Sequence, residues 1–151
     1  GQRPKRLFPH EGVVHQRRNQ GACGPWWGLP HFLALSNELN TPKILLCPRE
    51  RNRQSATNFS HGLADINVRY FVNVDAVHAN GSDVLVGDRN ITNRASAGRR
   101  FVNLIDGTVI GWNQGLHGGW GNLGLADASV QRVVHPVVAL PAGVTHRLAV
   151  P

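Results

Sequence analysis

The stretch VRYFVNVDAVHANGSDVLVG, residues 68–87, decides how this chain folds. Val68, Tyr70, Val72 and Val74 alternate with Arg69, Phe71, Asn73 and Asp75, the period-two pattern of a strand with one apolar face. Asn80-Gly81 comes next, and then a second apolar run, Val84-Leu85-Val86. Asn-Gly between two apolar stretches is the strongest short-range hairpin signal, because both turn residues tolerate positive φ. The expectation is an antiparallel hairpin with a tight turn at Asn80-Gly81.

Working outward, two more hairpins are expected. One joins Phe101–Ile105 to Thr108–Trp112 through Asp106-Gly107, and the other joins Asn122–Ala126 to Ser129–Val133 with Asp127-Ala128 at the bend. Ala128 is a poor choice there: a type I′ turn asks for positive φ, and Ala in place of Gly should cost on the order of 1 kcal/mol. Upstream, Phe32, Leu35, Ser36 and Leu39 lie on one helical stripe, with Pro30 in a permitted first-turn position and Asn40 before Pro42 as a stop. A short strand is expected at Lys43–Cys47, a polar loop at residues 49–61, and an edge strand through Val137–Leu140 before the end frays. The predicted fold class is α+β: an antiparallel β-sheet of hairpins packed on one short helix. The predicted organisation is an irregular basic arm over residues 1–30, a globular head over 31–135, and an apolar tail over 136–151.

The chain has 151 residues, enough for one domain with a real core, and 17 Gly with 9 Pro predict many turns. Its net charge of +7 is unevenly placed. Residues 1–60 hold nine Lys/Arg against three Asp/Glu, and residues 61–151 hold seven against six. Arg3, Lys5, Arg6, Arg17 and Arg18 make the first segment a basic arm, able to hold nucleic acid or another anionic polymer without sequence specificity. Against this, the arm lacks the interleaved aromatic residues that single-strand binding uses. No run reaches the ~18 apolar residues of a membrane span. The sequence contains no Met, which reads as a processed or trimmed chain with any targeting element removed.

Catalytic and metal-binding motifs are weak. Cys23 and Cys47 are open to two readings, a disulfide in an oxidising compartment or buried thiols. The eight histidines show no short spacing that puts imidazoles on one face, and Cys23, His31, Cys47 and His61 are too dispersed to predict a zinc site. Cys47 comes after an apolar run, where a thiol is usually packed and inert. The run Gly115–Gly124 lacks the Lys and Ser/Thr of a phosphate loop and reads as a turn. His117 in that run, with Asp127 after it, is the pair on which a hydrolase would have to be built. Asp75, Asp83 and Asp88 around the first hairpin, with Asp106 and Asp127 at other turns, are a candidate Ca²⁺ set, although Asp is a favoured turn residue in any case. The expectation is no cofactor, with calcium the one ion to consider.

Three stretches carry a resemblance: HFLALSNELNTPKILLCP at 31–48, VRYFVNVDAVHANGSDVLVGDRNIT at 68–92, and LHGGWGNLGLADASVQRV at 116–133. In this order they resemble the head of bacterial pilin-like (pseudopilin-type) proteins. His117 and Asp127 stand at the spacing of the His-x9-Asp-Gly signature of such heads, with Ala128 where the signature has Gly. The family's N-terminal processing site and long hydrophobic helix are not in this sequence, and residues 1–30 do not resemble the family. The resemblance implies a structural, non-enzymatic subunit of a type II secretion pseudopilus or a type IV pilus-like filament. It implies an extracytoplasmic location and other pilin-like subunits as partners, with contact to the membrane only through the missing helix. The rival reading is a basic binding module acting through the arm. A deep pocket where His117 converges with acidic or thiol side chains would overturn the structural reading, and so would a core made mostly of helices.

Overall fold

Tyr, Phe and Val dominate the strand at Tyr70–Asn73, the residue types that pack best on a pleated surface. In the computed structural model, which describes residues 28–50, 53–77, 80–93 and 101–151, this strand is β1. After it come β2 (Val84–Asp88), β3 (Phe101–Leu104), β4 (Gly121–Leu125), β5 (Val130–Val133) and β6 (His146–Ala149). All six form one sheet in the order β3-β6-β1-β2-β4-β5, and every pairing is antiparallel. Two short helices, α1 (Leu29–Ala34) and α2 (Ser36–Leu39), lie upstream. The architecture is α+β, a mostly antiparallel sheet with a few short helices.

Around β1 the sheet packs apolar side chains on both faces, which differs from the one apolar face expected of residues 68–75, while β5 is largely exposed. Phe71 is fully buried and belongs to a core with Ile91, Val102, Leu104, Ile110, Trp112, Leu123, Val138, Leu140 and Leu148. That core is closed by the segments around 105–112 and 136–140, which meet at the Val109–Val137 bridge. The second face packs Tyr70, Val72, Val86 and Ala149 against Phe32 and Leu45. Alternation holds along β1, yet polarity does not report exposure, since Arg69 is also fully buried.

The hairpins are partly as expected. β1 pairs with β2 through Tyr70–Asp88 and Val72–Val86, but the connection between Asn73 and Val84 is too long for a two-residue turn at Asn80-Gly81. Inside it, Asp83 N donates to Asn80 O, while the Asp83 carboxylate accepts from Val77 N and the Asn80 side chain. The second hairpin does not form. Gly107 takes positive φ and Thr108 N donates to Ile105 O, so the chain turns there. The partner of β3 is β6, however, and residues 108–112 instead bond to the 136–138 segment and to Ile91. The third hairpin is present, with Gly121–Val133 through Gly124–Val130 in register. Only Ala128 of its bend has positive φ (68°), and Ala128 N donates to Leu125 O, giving a type I turn and then a left-handed residue in place of type I′.

Three other expectations are corrected. The predicted helix over 30–39 breaks at Leu35 into α1 and α2, and ends at Asn40 (φ 62°) as expected. Residues 42–45 form a 3₁₀ turn and no strand: Pro42 sits at its first position, and the Thr41 hydroxyl accepts from Lys43 N. The tail does not supply a fraying edge strand. Its residues 146–149 lie inside the sheet between β3 and β1, and Val137 makes a single bridge.

Candidate functional site

Three chain segments place polar side chains together at one end of β2. Cys47 leaves the 3₁₀ turn, held by Arg69 N donating to Leu45 O and Glu50 N donating to Cys47 O. Asp88 closes β2, opposite Tyr70 on β1. His117 comes from the glycine-rich loop before β4, where Gly118 and Gly119 both take positive φ and fold the loop back over the strand ends. The loop is anchored by Asn113 N donating to Asn90 O and Asn90 Nδ2 donating to Asn113 O.

His117 Nε2 lies 3.5 Å from Cys47 Sγ and 3.4 Å from Asp88 Oδ2. The same Asp88 oxygen accepts from Asn122 N at 2.8 Å and Asn122 Nδ2 at 3.0 Å, which fixes the carboxylate. The imidazole stacks on Trp120 with ring centres 4.4 Å apart, and the Arg132 guanidinium lies 3.8 Å above Trp120. Cys47 is 5% exposed and Asp88 2%, with the His117 side chain at 8%. Beside them is a cavity of about 360 Å³, also lined by Tyr70, Gly87 and Val130. Burial first, then the neighbouring Asp88 and Cys47, hold the Tyr70 hydroxyl above the usual phenol range.

One nitrogen therefore faces both an acid and a thiol, while His117 Nδ1 is buried without a hydrogen-bond partner. A neutral imidazole has one N–H and one lone pair. With the proton on Nε2 it serves Asp88 or Cys47 but not both; with the proton on Nδ1, Nε2 can accept the thiol S–H. Chemically the arrangement can take a proton from Cys47 and hold it next to a carboxylate.

This convergence is what the spacing of the residues conceals. His117 and Cys47 are both present, but the acid beside the imidazole is Asp88 and not Asp127. Asp127 lies at the far end of β4, in the bend to β5, where its carboxylate accepts from Ser129 N at 2.9 Å and its own N–H donates to Gly81 O. The His117–Asp127 pairing expected of a hydrolase is thus corrected: strand β4 separates the two. Cys47 carries a free, buried thiol, and Cys23 lies outside the described residues, as do Arg3, Lys5, Arg6, Arg17 and Arg18. The candidate Ca²⁺ carboxylates do not converge. Asp75 pairs with Arg147, Asp83 bonds within its own loop, Asp88 bonds Asn122, and Asp106 accepts from Leu140 N. Among the described residues no group of three His, Cys, Asp or Glu is set to hold a metal ion, and no helix is long and apolar enough to cross a membrane.

A second polar cluster leaves no mark in the sequence. Glu50 is in ion-pair contact with Arg53, Arg69 and Arg89. Along the chain those four residues are ordinary loop and strand-edge charges. Comparison with protein-family models, with curated proteins and with solved structures finds no match for this chain.

Proposed function

We propose that this chain is the head of a pilin-like filament subunit, of the type II secretion pseudopilus or type IV pilus-like kind, and works by assembly outside the cytoplasm. The observation that carries the reading is an apolar groove between the α1–α2 segment and the second face of the sheet. It has a volume of about 510 Å³ and is lined by Phe32, Leu35, Leu39, Ile44, Val72 and Leu85 among others. Leu35 is 49% exposed, Ile44 54% and Leu85 37%. A contiguous apolar surface of this kind on a folded domain serves a protein, membrane or small-ligand contact, and the first of these fits a filament subunit. The order of the three resembling stretches along residues 31–133 supports the same reading, and its occupant is a neighbouring subunit of the filament. The test is the reading frame upstream of Gly1. A prepilin-peptidase site leading into about twenty apolar residues, the length of a membrane span, is expected. A start codon directly before Gly1 would overturn the proposal, and so would failure of the full-length product to co-purify with other filament subunits.

The meeting of Cys47 and His117 favours a second reading, thiol-dependent acyl transfer, with Cys47 as nucleophile and His117 as base, although Asp88 meets the same Nε2 as the thiol and so does not orient the imidazole through Nδ1. Burial weighs against it. A nucleophile must reach its substrate, and the same contacts are accounted for as a polar knot that ties the glycine-rich loop and the 3₁₀ turn to the sheet. The discriminating measurement is turnover of activated thioesters by the native protein and by Cys47→Ala. Turnover that vanishes in the variant would replace the structural reading.

A further inference from the structure

Glu50 faces three guanidinium groups. Arg89 Nη2 is 2.7 Å from its Oε1, Arg53 Nε is 3.6 Å from the same oxygen, and Arg69 Nε is in contact with Oε2 without the alignment of a hydrogen bond. Three positive charges against one negative leave an excess of two. No other carboxylate is in ion-pair contact with these arginines among the described residues. Arg69 is fully buried, and its Nη2 has no hydrogen-bond partner; Arg89 Nε is likewise buried and unpartnered. Unmet donors on buried cations are among the costliest groups to leave unsatisfied. Burial, and then the like charges of Arg89 and Arg53, lower the Arg69 guanidinium to about 10. Arg69 therefore remains charged at neutral pH.

Next to this cluster is a cavity of about 250 Å³ lined by Glu50, Arg89, Asn90, Asn113, Gly115 and Leu116. Asn90 Oδ1 is buried there without a donor. We propose that the cavity beside the Glu50–Arg53–Arg69–Arg89 cluster is a binding site for a small dianionic oxyanion, with hydrogen phosphate the best fit, Arg89 lining it and Arg53 and Arg69 adding positive charge from behind. Two negative charges match the excess. The planar guanidinium fork suits tetrahedral oxyanions. Hydrogen phosphate also carries a hydroxyl that can donate to Asn90 Oδ1, which sulfate does not. The site is separate from the apolar groove and from His117, so it stands or falls independently of the assembly reading.

The experiment titrates the whole chain with inorganic phosphate, sulfate or chloride at equal ionic strength, following thermal unfolding and ³¹P line broadening. Phosphate is expected to raise the midpoint most, sulfate less, and chloride least. Arg89→Met should weaken phosphate binding at least about tenfold, the loss of one charge-assisted hydrogen bond, while Arg132→Gln should leave it unchanged. Glu50→Gln gives a change of opposite sign. It raises the excess to three positive charges, so the variant should be destabilised in chloride and restored by phosphate, with tighter binding than the native protein. A merely structural ion pair would give the destabilisation without the rescue. If phosphate acts no differently from chloride on both the native protein and Glu50→Gln, the proposal is wrong.

Discussion

Gly87 sits in the middle of the sheet, paired with Phe71 on β1 and Leu123 on β4. A Cβ placed there would lie 2.6 Å from Phe71 Cζ, 2.7 Å from Phe71 Cε1 and 2.7 Å from Leu123 Cδ2. Carbon atoms at rest stay about 3.5–4.0 Å apart, so Gly87→Ala forces movement of roughly 1 Å. Leu123 can turn a methyl aside. The Phe71 ring cannot, because it is fully buried in the core beside Ile91 and Leu148. Overpacking of this kind costs about 1–3 kcal/mol. Stiffening the unfolded chain returns about 0.5–1 kcal/mol, and the backbone at Gly87 is not in the left-handed region. The net loss is about 0–2.5 kcal/mol, which for a chain of this size lowers the unfolding midpoint by up to about 10 °C. Thermal unfolding monitored by circular dichroism measures it. The double variant provides the sharper check. Leu at position 71 lacks the two ring carbons in question, so Gly87→Ala should cost less in a Phe71→Leu background, with a coupling of about 1 kcal/mol. A stabilising Gly87→Ala, or strict additivity with Phe71→Leu, would refute the packing argument.

Other outcomes rest on single contacts. Ala128→Gly relieves a left-handed backbone (φ 68°) and should stabilise the β4–β5 hairpin by about 1 kcal/mol, read as a higher midpoint; a lower one would contradict the turn geometry. Asp75 is held below the usual carboxylate range, first by its hydrogen bond to Arg147. Its folded-state value is depressed, so its stabilising contribution is present above the unfolded value near 4 and is lost as pH falls through the folded one. Asp75→Asn should therefore flatten the stability profile on the acid side of about pH 4, measured by unfolding at successive pH values. Asp88→Ala leaves Asn122 N, Asn122 Nδ2 and His117 Nε2 without their shared acceptor. At about 1–3 kcal/mol for a buried unsatisfied group, the loss should loosen residues 113–120, visible as faster amide exchange there with less change in β3 and β6.

Strand character at residues 70–73 and 84–88 is legible in the sequence because alternation and β-branched residues report local backbone preference. So is the strain at Ala128, since a positive φ at a bend is a local demand that the residue type either meets or resists. Pairing is not legible where partners are distant. Nothing near Phe101 announces that its neighbour is Ala149, and the Asp106-Gly107 turn is by itself a sufficient reason to pair residues 101–105 with residues 108–112. The 3₁₀ turn at 42–45 is hidden because Ile44-Leu45-Leu46 reads as a strand, while Pro42 and the Thr41 cap decide the geometry. The site is half legible. His117 and Cys47 each stand out, but 70 residues separate them, and only the fold brings Asp88 to the same imidazole nitrogen. Glu50, Arg69 and Arg89 carry no motif, since ion-pair clusters are assembled by tertiary contact and leave no spacing to read.

The position of β6 has a consequence for how the chain is made. Residues 146–149 divide β3 from β1, so a nascent polypeptide arrested before His146 lacks the strand that joins β3 to the rest of the sheet. The β1-β2-β4-β5 portion can form during synthesis, but the Phe101 ribbon then has no neighbour to bond. Completion must wait for a closure spanning Val72 to Ala149, a slow step for contacts so far apart along the chain. Prematurely terminated products would expose two open strand borders, the surface most prone to pair with other copies, which makes faithful synthesis through residue 149 a safeguard against aggregation.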